Sequence, residues 1–171
     1  MRARATIIAC IMLVLTVPLA PISRAKADIQ LRSPEKRVLR LINRARVRRG
    51  LHKVRVVRSL ERASRSHSAS MLSRDYFSHS SYGGATFAAR LLAFGYSRSG
   101  RCFWQVGEVI GWGKGTAGTA RSVFRAWMHS PAHRTVIFTK CWHDCGIGAK
   151  LGAYGNLSGV RMFTVDFGRR Y

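Results

Sequence analysis

Acidic residues are scarce in this chain. Its 171 residues include only 7 Asp and Glu against 30 Lys and Arg, which gives a formal net charge of +23 at pH 7. So large a positive charge favours anionic partners such as cell-wall polymers, acidic lipid headgroups or nucleic acid. The basic residues are spread along the whole chain, and no motif of a nucleic-acid-binding fold is present. We therefore expect an anionic envelope polymer or a lipid surface as partner, and no specific nucleic-acid recognition. A generally solvated basic surface is the alternative.

The common catalytic and metal-binding motifs are also missing. The sequence contains no Cys-x-x-Cys pair, no His-Glu-x-x-His motif, and no Ser, His and Asp in the order of a known triad. These absences argue against a thiol redox protein, a zinc protease of the usual kind and a serine hydrolase. Catalysis is therefore the weaker expectation, and a binding role the stronger one.

No apolar run is long enough to span a bilayer comfortably, which takes about 20 residues. The apolar segment at residues 6–19 follows Arg2 and Arg4 and precedes the small-x-small sequence Ala25-Lys26-Ala27. This order is typical of a signal peptide removed before Asp28, with a retained anchor as the alternative. We expect residues 1–27 to be a signal peptide and residues 28–171 to form one domain without a transmembrane segment. The expected location is outside the cell or in a bacterial cell envelope.

Cysteine is rare, with four residues in the chain. Removal of the signal peptide takes Cys10 away and leaves Cys102, Cys141 and Cys145. A disulfide between Cys102 and either Cys141 or Cys145 would close a long loop outside the cytoplasm and constrain the unfolded chain. The sequence leaves both pairings open.

Helical patterns dominate the first half of the chain. Ser33-Pro34-Glu35 has the features of a helix start, with Ser33 as the expected cap, and a second helix is predicted from about Ser59. Further helical spacing occupies residues 86–94 and 116–129, with a break at Ser130-Pro131. The residues expected to face the core from the first two helices are Val38, Leu41, Ile42, Ala45, Leu60, Ala63, His67 and Met71.

Strand patterns follow later in the chain. Strands are predicted for residues 103–112, 146–151 and 160–167, the last two as an antiparallel pair joined by a turn at residues 154–156. No helix–strand alternation and no internal repeat are present. The sequence therefore predicts an α+β fold in which helices cover an antiparallel sheet.

Three short segments, residues 76–79, 107–110 and 127–134, place proton-transfer or metal-binding side chains beside glycine, serine or proline. Glu108 lies in an apolar stretch, so its carboxylate has to be solvated in a cleft or paired. A histidine or a bound cation is a natural partner. His67 lies on the buried stripe of the second helix and is interpreted as a core histidine.

Taken in order, these segments resemble the CAP superfamily of cysteine-rich secretory, antigen 5 and pathogenesis-related proteins, in its short bacterial SCP-like form. The resemblance covers about residues 36–168 and implies a three-layer α-β-α sandwich with a central antiparallel sheet and a cleft. The residues that carry it are Leu41 to Arg46, Gly50-Leu51, His67-Ser68, Met71, Tyr76 to His79, Phe87, Arg90-Leu91, Gly95-Tyr96, Gly107-Glu108, Ala126 to Met128, Ser130-Pro131, His133-Arg134, Gly146 to Gly148 and Asp166 to Gly168.

The resemblance also implies a ligand cleft formed by His79, Glu108 and His133. In some members the corresponding residues bind zinc or another divalent cation, and two imidazoles with one carboxylate suit such an ion. Ser78, His129 and Arg134 are accessory candidates because of their positions beside the motif residues. The alternative for the three cleft residues is a bracing role, in which they only bind one another.

The chain departs from the family pattern at three places. Val109 and Val136 stand where relatives have asparagine, and His129 stands where bacterial relatives usually have asparagine. Lost amide side chains remove hydrogen bonds that orient a site. These departures put the family-type cleft in question but not the fold.

The expected function is a secreted binding module for an envelope or host ligand, whose cleft can hold a divalent cation. The first alternative is a metal-dependent hydrolase, an esterase or peptidase, with Glu108 beside a metal-bound water. The second is a lipid or sterol binder with an apolar groove, for which the aromatic candidates are Phe103, Trp104, Trp112 and Trp142. Core packing is the other use for these rings.

Overall fold

A four-stranded sheet forms the centre of the fold. The computed structural model describes residues 29–97, 100 and 103–171. The elements in chain order are α1 (Ser33–Val47), β1 (Arg55–Val56), α2 (Arg58–Ser73), α3 (Phe87–Ala93), β2 (Trp104–Lys114), a 3-10 turn (Gly115–Gly118), α4 (Ala120–His129), α5 (Pro131–Phe138), β3 (Asp144–Tyr154) and β4 (Leu157–Arg170).

The three long strands pair antiparallel, as predicted. β4 lies between β2 and β3, and it is joined to β3 by a tight turn in which Gly155 has a φ of 53°. That left-handed conformation favours glycine. The short strand β1 pairs with β3 in parallel, which makes the sheet mixed. This edge was not predicted because two residues are too few to show a period.

The alternation of side chains along β4 separates two helical layers. Phe163, Val165 and Phe167 face α1, α4 and α5 in the larger hydrophobic cluster. On the opposite face, Met162 packs with Met71 of α2 in a second cluster, and Thr164 binds Ser68 of α2. The result is the α-β-α arrangement that the resemblance implied.

Close contact between β3 and α2 depends on glycine. A Cβ atom on Gly146 or Gly148 would collide with the α2 backbone at Leu60 and Ser64 respectively. The two glycines therefore let α2 lie directly on the sheet. This contact sets the distance between α2 and the sheet, and with it the position of the side chains that lie between α2 and β4.

Helix α1 is held by a buried arginine that the sequence pattern did not identify. Arg46 is fully buried, and its guanidinium donates to the carbonyls of His52 (2.9 Å), Ile137 (2.7 Å), Thr139 (3.0 Å) and Trp142 (3.3 Å). Burial lowers the pKa of Arg46. Since Ile137 lies in the last turn of α5, the contact joins α1 to the negative end of the α5 dipole.

Several local predictions need correction. Arg32 holds the N-cap position of α1, and its backbone N–H donates to Glu35 Oε2 (2.8 Å), so Ser33 is not the cap. Leu41 and Ala45 are only half-buried, because the buried stripe runs through Val38, Ile42 and Arg46 instead. The predicted helix from residue 116 begins at Ala120, where the Thr119 hydroxyl accepts from Ser122 N (3.2 Å).

Cys141 and Cys145 are not joined to each other. Cys145 faces the core with 1% of its surface exposed, and burial raises the pKa of its thiol. Cys141 is half-buried, and its Sγ lies 3.1 Å from Gln105 Oε1. Cys102 lies outside the described residues, and so does the signal-peptide segment, so both expectations stay predictions.

Candidate functional site

The candidate site lies beside β2, the end strand of the sheet. Glu108 is in the middle of this strand, directly opposite Asp166 of β4. Both side chains point to the α2 and α3 side, since Asp166 binds Ser64 of α2 and Glu108 binds Arg90 of α3. The loop between α2 and α3, residues 74–86, passes over the same place and carries His79.

Glu108 and His79 form a direct hydrogen bond. His79 Nδ1 lies 2.8 Å from Glu108 Oε1. The Glu108 side chain has no exposed surface, whereas the His79 side chain is 52% exposed. A carboxylate that accepts from Nδ1 fixes the tautomer and orientation of the ring and leaves Nε2 free for another partner. The pairing that the sequence predicted for Glu108 is thus present.

Arg90 is a central residue of the site that the sequence analysis did not assign to it. Its guanidinium forms an ion pair with Glu108 Oε2 and donates to the His79 carbonyl (3.2 Å) and the Ser81 hydroxyl (2.9 Å). Arg90 therefore compensates the buried charge of Glu108 and also holds the loop that carries His79. The sequence feature that could have pointed to Arg90 is that it is the single charged residue in an otherwise apolar α3.

Asp166 is the second residue that sequence reasoning missed as part of the site. It is fully buried, and its Oδ2 accepts a hydrogen bond from the Ser64 hydroxyl (2.7 Å). Burial first, and then the charge of Glu108, raise the pKa of Asp166 well above its usual value. The raised pKa favours the protonated form of Asp166, which lies opposite Glu108 in the strand register. Register across two strands brings the two carboxyl groups together, and no local pattern reports that.

The prediction that His67 is a core histidine is confirmed. His67 is 1% exposed, and its Nε2 donates to the carbonyl of Ser78 (2.8 Å), the residue before His79. Burial lowers the pKa of His67. The neutral imidazole of His67 on α2 and the guanidinium of Arg90 on α3 thus both bind the backbone of the loop that carries His79.

His133 lies on α5, at the rim of a groove of about 400 Å³. Its Nδ1 is buried and has no hydrogen-bond partner among the described residues. Burial, and then the nearby His79, lower the pKa of His133. The groove is mainly apolar, and its other lining residues are Phe77, Ile110, Gly111, Trp112, Ala117, Ser122, Val123, Ala126, Trp127 and Ser130.

The three accessory candidates lie apart from this centre. His129 is exposed at the end of α4, and the exposed Ser78 uses its hydroxyl to accept from Ser80 N (3.1 Å). Arg134 lines a different depression, beside Arg49 and Phe138. The structure therefore brings together His79 and Glu108, with His133 at the adjoining groove, and leaves Ser78, His129 and Arg134 outside.

The departures from the family pattern at Val109 and Val136 have a packing explanation. Val109 is fully buried in the larger hydrophobic cluster. Val136 is half-buried against the same cluster, close to Gly107, and its carbonyl accepts from Trp142 Nε1 (2.7 Å). Both valines extend the core where an amide side chain would have to find a hydrogen-bond partner.

Among the four aromatic candidates for an apolar groove, only Trp112 lines the one beside His133. It is 39% exposed. Trp142 is in the core, Trp104 donates to the Tyr96 carbonyl (3.0 Å), and Phe103 stacks on Tyr171.

A cation site at this place would rest on the two imidazoles. In the described part of the chain, no group of three His, Cys, Asp or Glu side chains is close enough to hold a metal ion. Both oxygens of Glu108 are engaged, one by His79 and one by Arg90. Glu108 is therefore placed to orient His79 rather than to bind an ion.

None of the helices within residues 29–97 and 103–171 is long and apolar enough to cross a membrane.

Comparison with known proteins identifies relatives. The profile of the cysteine-rich secretory protein family, CAP, matches residues 39–167. The uncharacterized protein YkwD of Bacillus subtilis is 28% identical over 139 residues, which is 78% of this chain and 51% of that protein. The chain thus spans about half the length of that curated relative.

Solved structures show the same fold. An extracellular protein containing an SCP domain from Bacillus anthracis superposes with a TM-score of 0.65 at 21% identity, over 80% of this chain and 40% of that one. An outer surface protein from Borrelia burgdorferi superposes with a TM-score of 0.66 at 19% identity, over 84% of this chain and 97% of that one.

Proposed function

Since the chain belongs to the cysteine-rich secretory protein family, CAP, we propose that it is a binding module of the cell exterior or envelope. Its ligand occupies the cleft where His79 meets the groove beside His133. An exported location is supported by the amino-terminal sequence and by the extracellular and outer-surface relatives of the same fold. The observation that supports the binding role is an apolar groove with His133 at its rim, beside the loop in which Glu108 orients His79.

The two parts of the cleft suit different parts of one ligand. His79 is exposed and oriented by Glu108, and His133 is neutral at ordinary pH because its pKa is lowered. Two imidazole nitrogens suit a divalent cation or a polar group of the ligand. The groove of about 400 Å³ suits an apolar group, such as a short acyl or isoprenoid chain.

A divalent cation is part of this proposal. His79 and His133 are the residues that would hold it, and such an ion would bind a carboxylate or phosphate of the ligand electrostatically. With two protein ligands instead of the three usual in catalytic zinc sites, we expect binding weaker than in a zinc enzyme. The same ligand number favours a binding role over a metal-dependent hydrolase, since Glu108 is already engaged by Arg90 and His79.

Calorimetric titration with zinc tests the cleft. We expect one-to-one binding by the purified protein and its loss in the variant that carries both His79→Ala and His133→Ala. The matched control is His129→Ala, which removes an exposed histidine outside the groove and should leave binding intact. Equal zinc binding by the double variant and the unchanged protein would overturn the cation site, as would its loss in the control.

A further inference from the structure

The outer surface of the α1, α4 and α5 layer has an unusual charge distribution. The sequence contains no Asp or Glu in residues 36–60 or 109–143, which include nearly all of this layer. The one acid of α1, Glu35, is fully buried and paired with Arg65 of α2. Of all acidic residues in the described part of the chain, only Asp75 is exposed, and it lies after α2 on the other side of the sheet. The outer surface of this layer therefore carries basic residues whose charge no exposed acidic residue of the layer neutralises.

Helix α1 concentrates that charge in a line. Lys36, Arg40, Arg44 and Arg48 are spaced four residues apart, so they follow one another along one side of the helix over about 18 Å. All four are exposed, and none takes part in an ion pair with a described residue. Like charges at this spacing destabilise a helix. An anionic partner would remove that repulsion.

A groove of about 450 Å³ lies along the same line. Its lining combines four cations with an apolar floor, and comprises Leu39, Arg40, Asn43, Arg44, Val47, Arg48 and Lys53. Val47 is 49% exposed, although it lies between arginines. Asn43 is not free to bind a ligand, because its amide exchanges two hydrogen bonds with the Val54 backbone (2.8 and 3.0 Å). What the groove offers a partner is therefore positive charge around a small apolar patch.

We propose that this groove, together with the line of cations along α1, docks the protein onto an anionic lipid surface. Guanidinium groups bind phosphate oxygens in pairs, and Arg40, Arg44 and Arg48 present three of them in a row. A rigid helix with cations in line matches a flat array of headgroups, and Val47 can enter the apolar region just below them. A soluble polyanion would satisfy the charges but would leave Val47 in water. The docking surface is separate from the cleft and does not depend on its function.

Vesicle binding tests the proposal. We expect the protein to bind vesicles that contain phosphatidylglycerol and not vesicles of phosphatidylcholine alone. The variant with Arg40→Gln, Arg44→Gln and Arg48→Gln should lose about 100-fold in affinity for the anionic vesicles. The matched control is the variant with Arg58→Gln, Arg62→Gln and Arg74→Gln, which removes the same charge from exposed positions in or directly after α2. It should lose less than about tenfold, through net charge alone.

Circular dichroism establishes that both triple variants are folded. A further variant, Arg48→Gln with Lys53→Gln, removes the two cations of the groove that lie beyond the end of α1. If the α1 and α2 triple variants lose the same affinity for anionic vesicles, binding depends on net charge alone and the proposal is overturned. Binding to polyphosphate chains without binding to anionic vesicles would assign the groove to a soluble polymer and overturn the lipid surface. The variant His79→Ala with His133→Ala should bind vesicles normally, so failure of the cleft and failure of the groove are distinguishable.

Discussion

Asp166 and Glu108 are two carboxyl groups that face each other inside the protein, and the charge of one controls the other. Glu108 is engaged by Arg90 and His79, whereas Asp166 has only Ser64 as a hydrogen-bond donor among the described residues. The proton therefore belongs on Asp166, whose pKa is raised by burial and by Glu108.

The variant Asp166→Asn tests this assignment through stability. A raised native pKa means that stability from the protonated group is present below the unfolded pKa and is lost as pH rises through the native pKa. Asparagine has the same shape as the protonated acid but does not titrate, so the variant does not lose this stability as the pH rises. The free energy of unfolding of the variant should therefore rise relative to the unchanged protein from about pH 4 upward, by at most about 1.4 kcal/mol per pH unit. Urea unfolding at a series of pH values measures this difference.

The groups that face Asp166 are Glu108 from β2, Arg90 from α3 and Ser64 from α2, and all three are kept in the variant. The comparison therefore reports the loss of the Asp166 carboxyl together with its effect on Glu108. A difference in unfolding free energy that stays constant from about pH 4 to pH 8 would show that Asp166 is ionised in the native protein.

At the scale of secondary structure, the groove beside His133 is defined by α4 meeting β2. Trp127 of α4 donates its Nε1–H to the Ile110 carbonyl (2.8 Å), which closes part of the free edge of β2. Gly111 leaves room for this ring, since a Cβ there would lie 2.9 Å from Trp127 Nε1. The groove is the space that remains between these two elements and the loop that carries Phe77. Its volume is therefore sensitive to the exposed side chains of α4.

Filling the groove should exclude an apolar ligand. Ala126 is exposed on α4 and lines the groove, so Ala126→Phe places a ring in the space without changing the core. We expect affinity for Nile red, a neutral apolar dye, to fall about tenfold or more in a fluorescence titration. Ala132→Phe adds the same ring at an exposed position of α5 outside the groove, and it should leave the affinity unchanged. Equal affinities in both variants would mean that the dye binds elsewhere.

At the scale of the whole molecule, burial of the acidic residues makes the surface strongly basic. Five acids are buried in the described residues, where they pair with arginine or bind polar side chains. Their contribution to the surface is small, so the outside of the folded protein is more basic than the composition alone suggests. Such a surface suits an anionic envelope, which agrees with the proposed location.

Export can be measured directly. When the whole chain is expressed in a bacterium, we propose that the protein outside the cytoplasm begins at Asp28 and that its mass falls accordingly below 19.1 kDa. Ala27→Leu removes the small residue before the cleavage point and should leave the longer form. An uncleaved product in the unchanged protein would favour the retained anchor. Mapping of peptides without reduction tests the predicted disulfide between Cys102 and either Cys141 or Cys145.

The sequence by itself determined most of the long helices and strands and the buried face of α2. The stripe Leu60, Ala63, His67 and Met71 is buried as predicted, because a period of 3.6 residues reports the face of a helix directly. It also predicted that Glu108 needs a partner, since an acid in an apolar strand cannot stay alone. Local pattern named a histidine or a cation as that partner, the resemblance offered His79 and His133, and the structure pairs Glu108 with His79.

Only the tertiary structure decided the rest of the site. Arg90 and Asp166 reach Glu108 from α3 and β4, and strand register and helix packing set that meeting, which no short segment encodes. The same holds for Arg46, which looks like one more surface arginine until four carbonyls surround it. Three come from the end of α5 and the segment after it, and the fourth comes from His52 in the loop after α1. A sequence pattern shows which face of an element is buried. The partner of a buried polar group depends on residues far along the chain, because its hydrogen bonds form only after the layers pack.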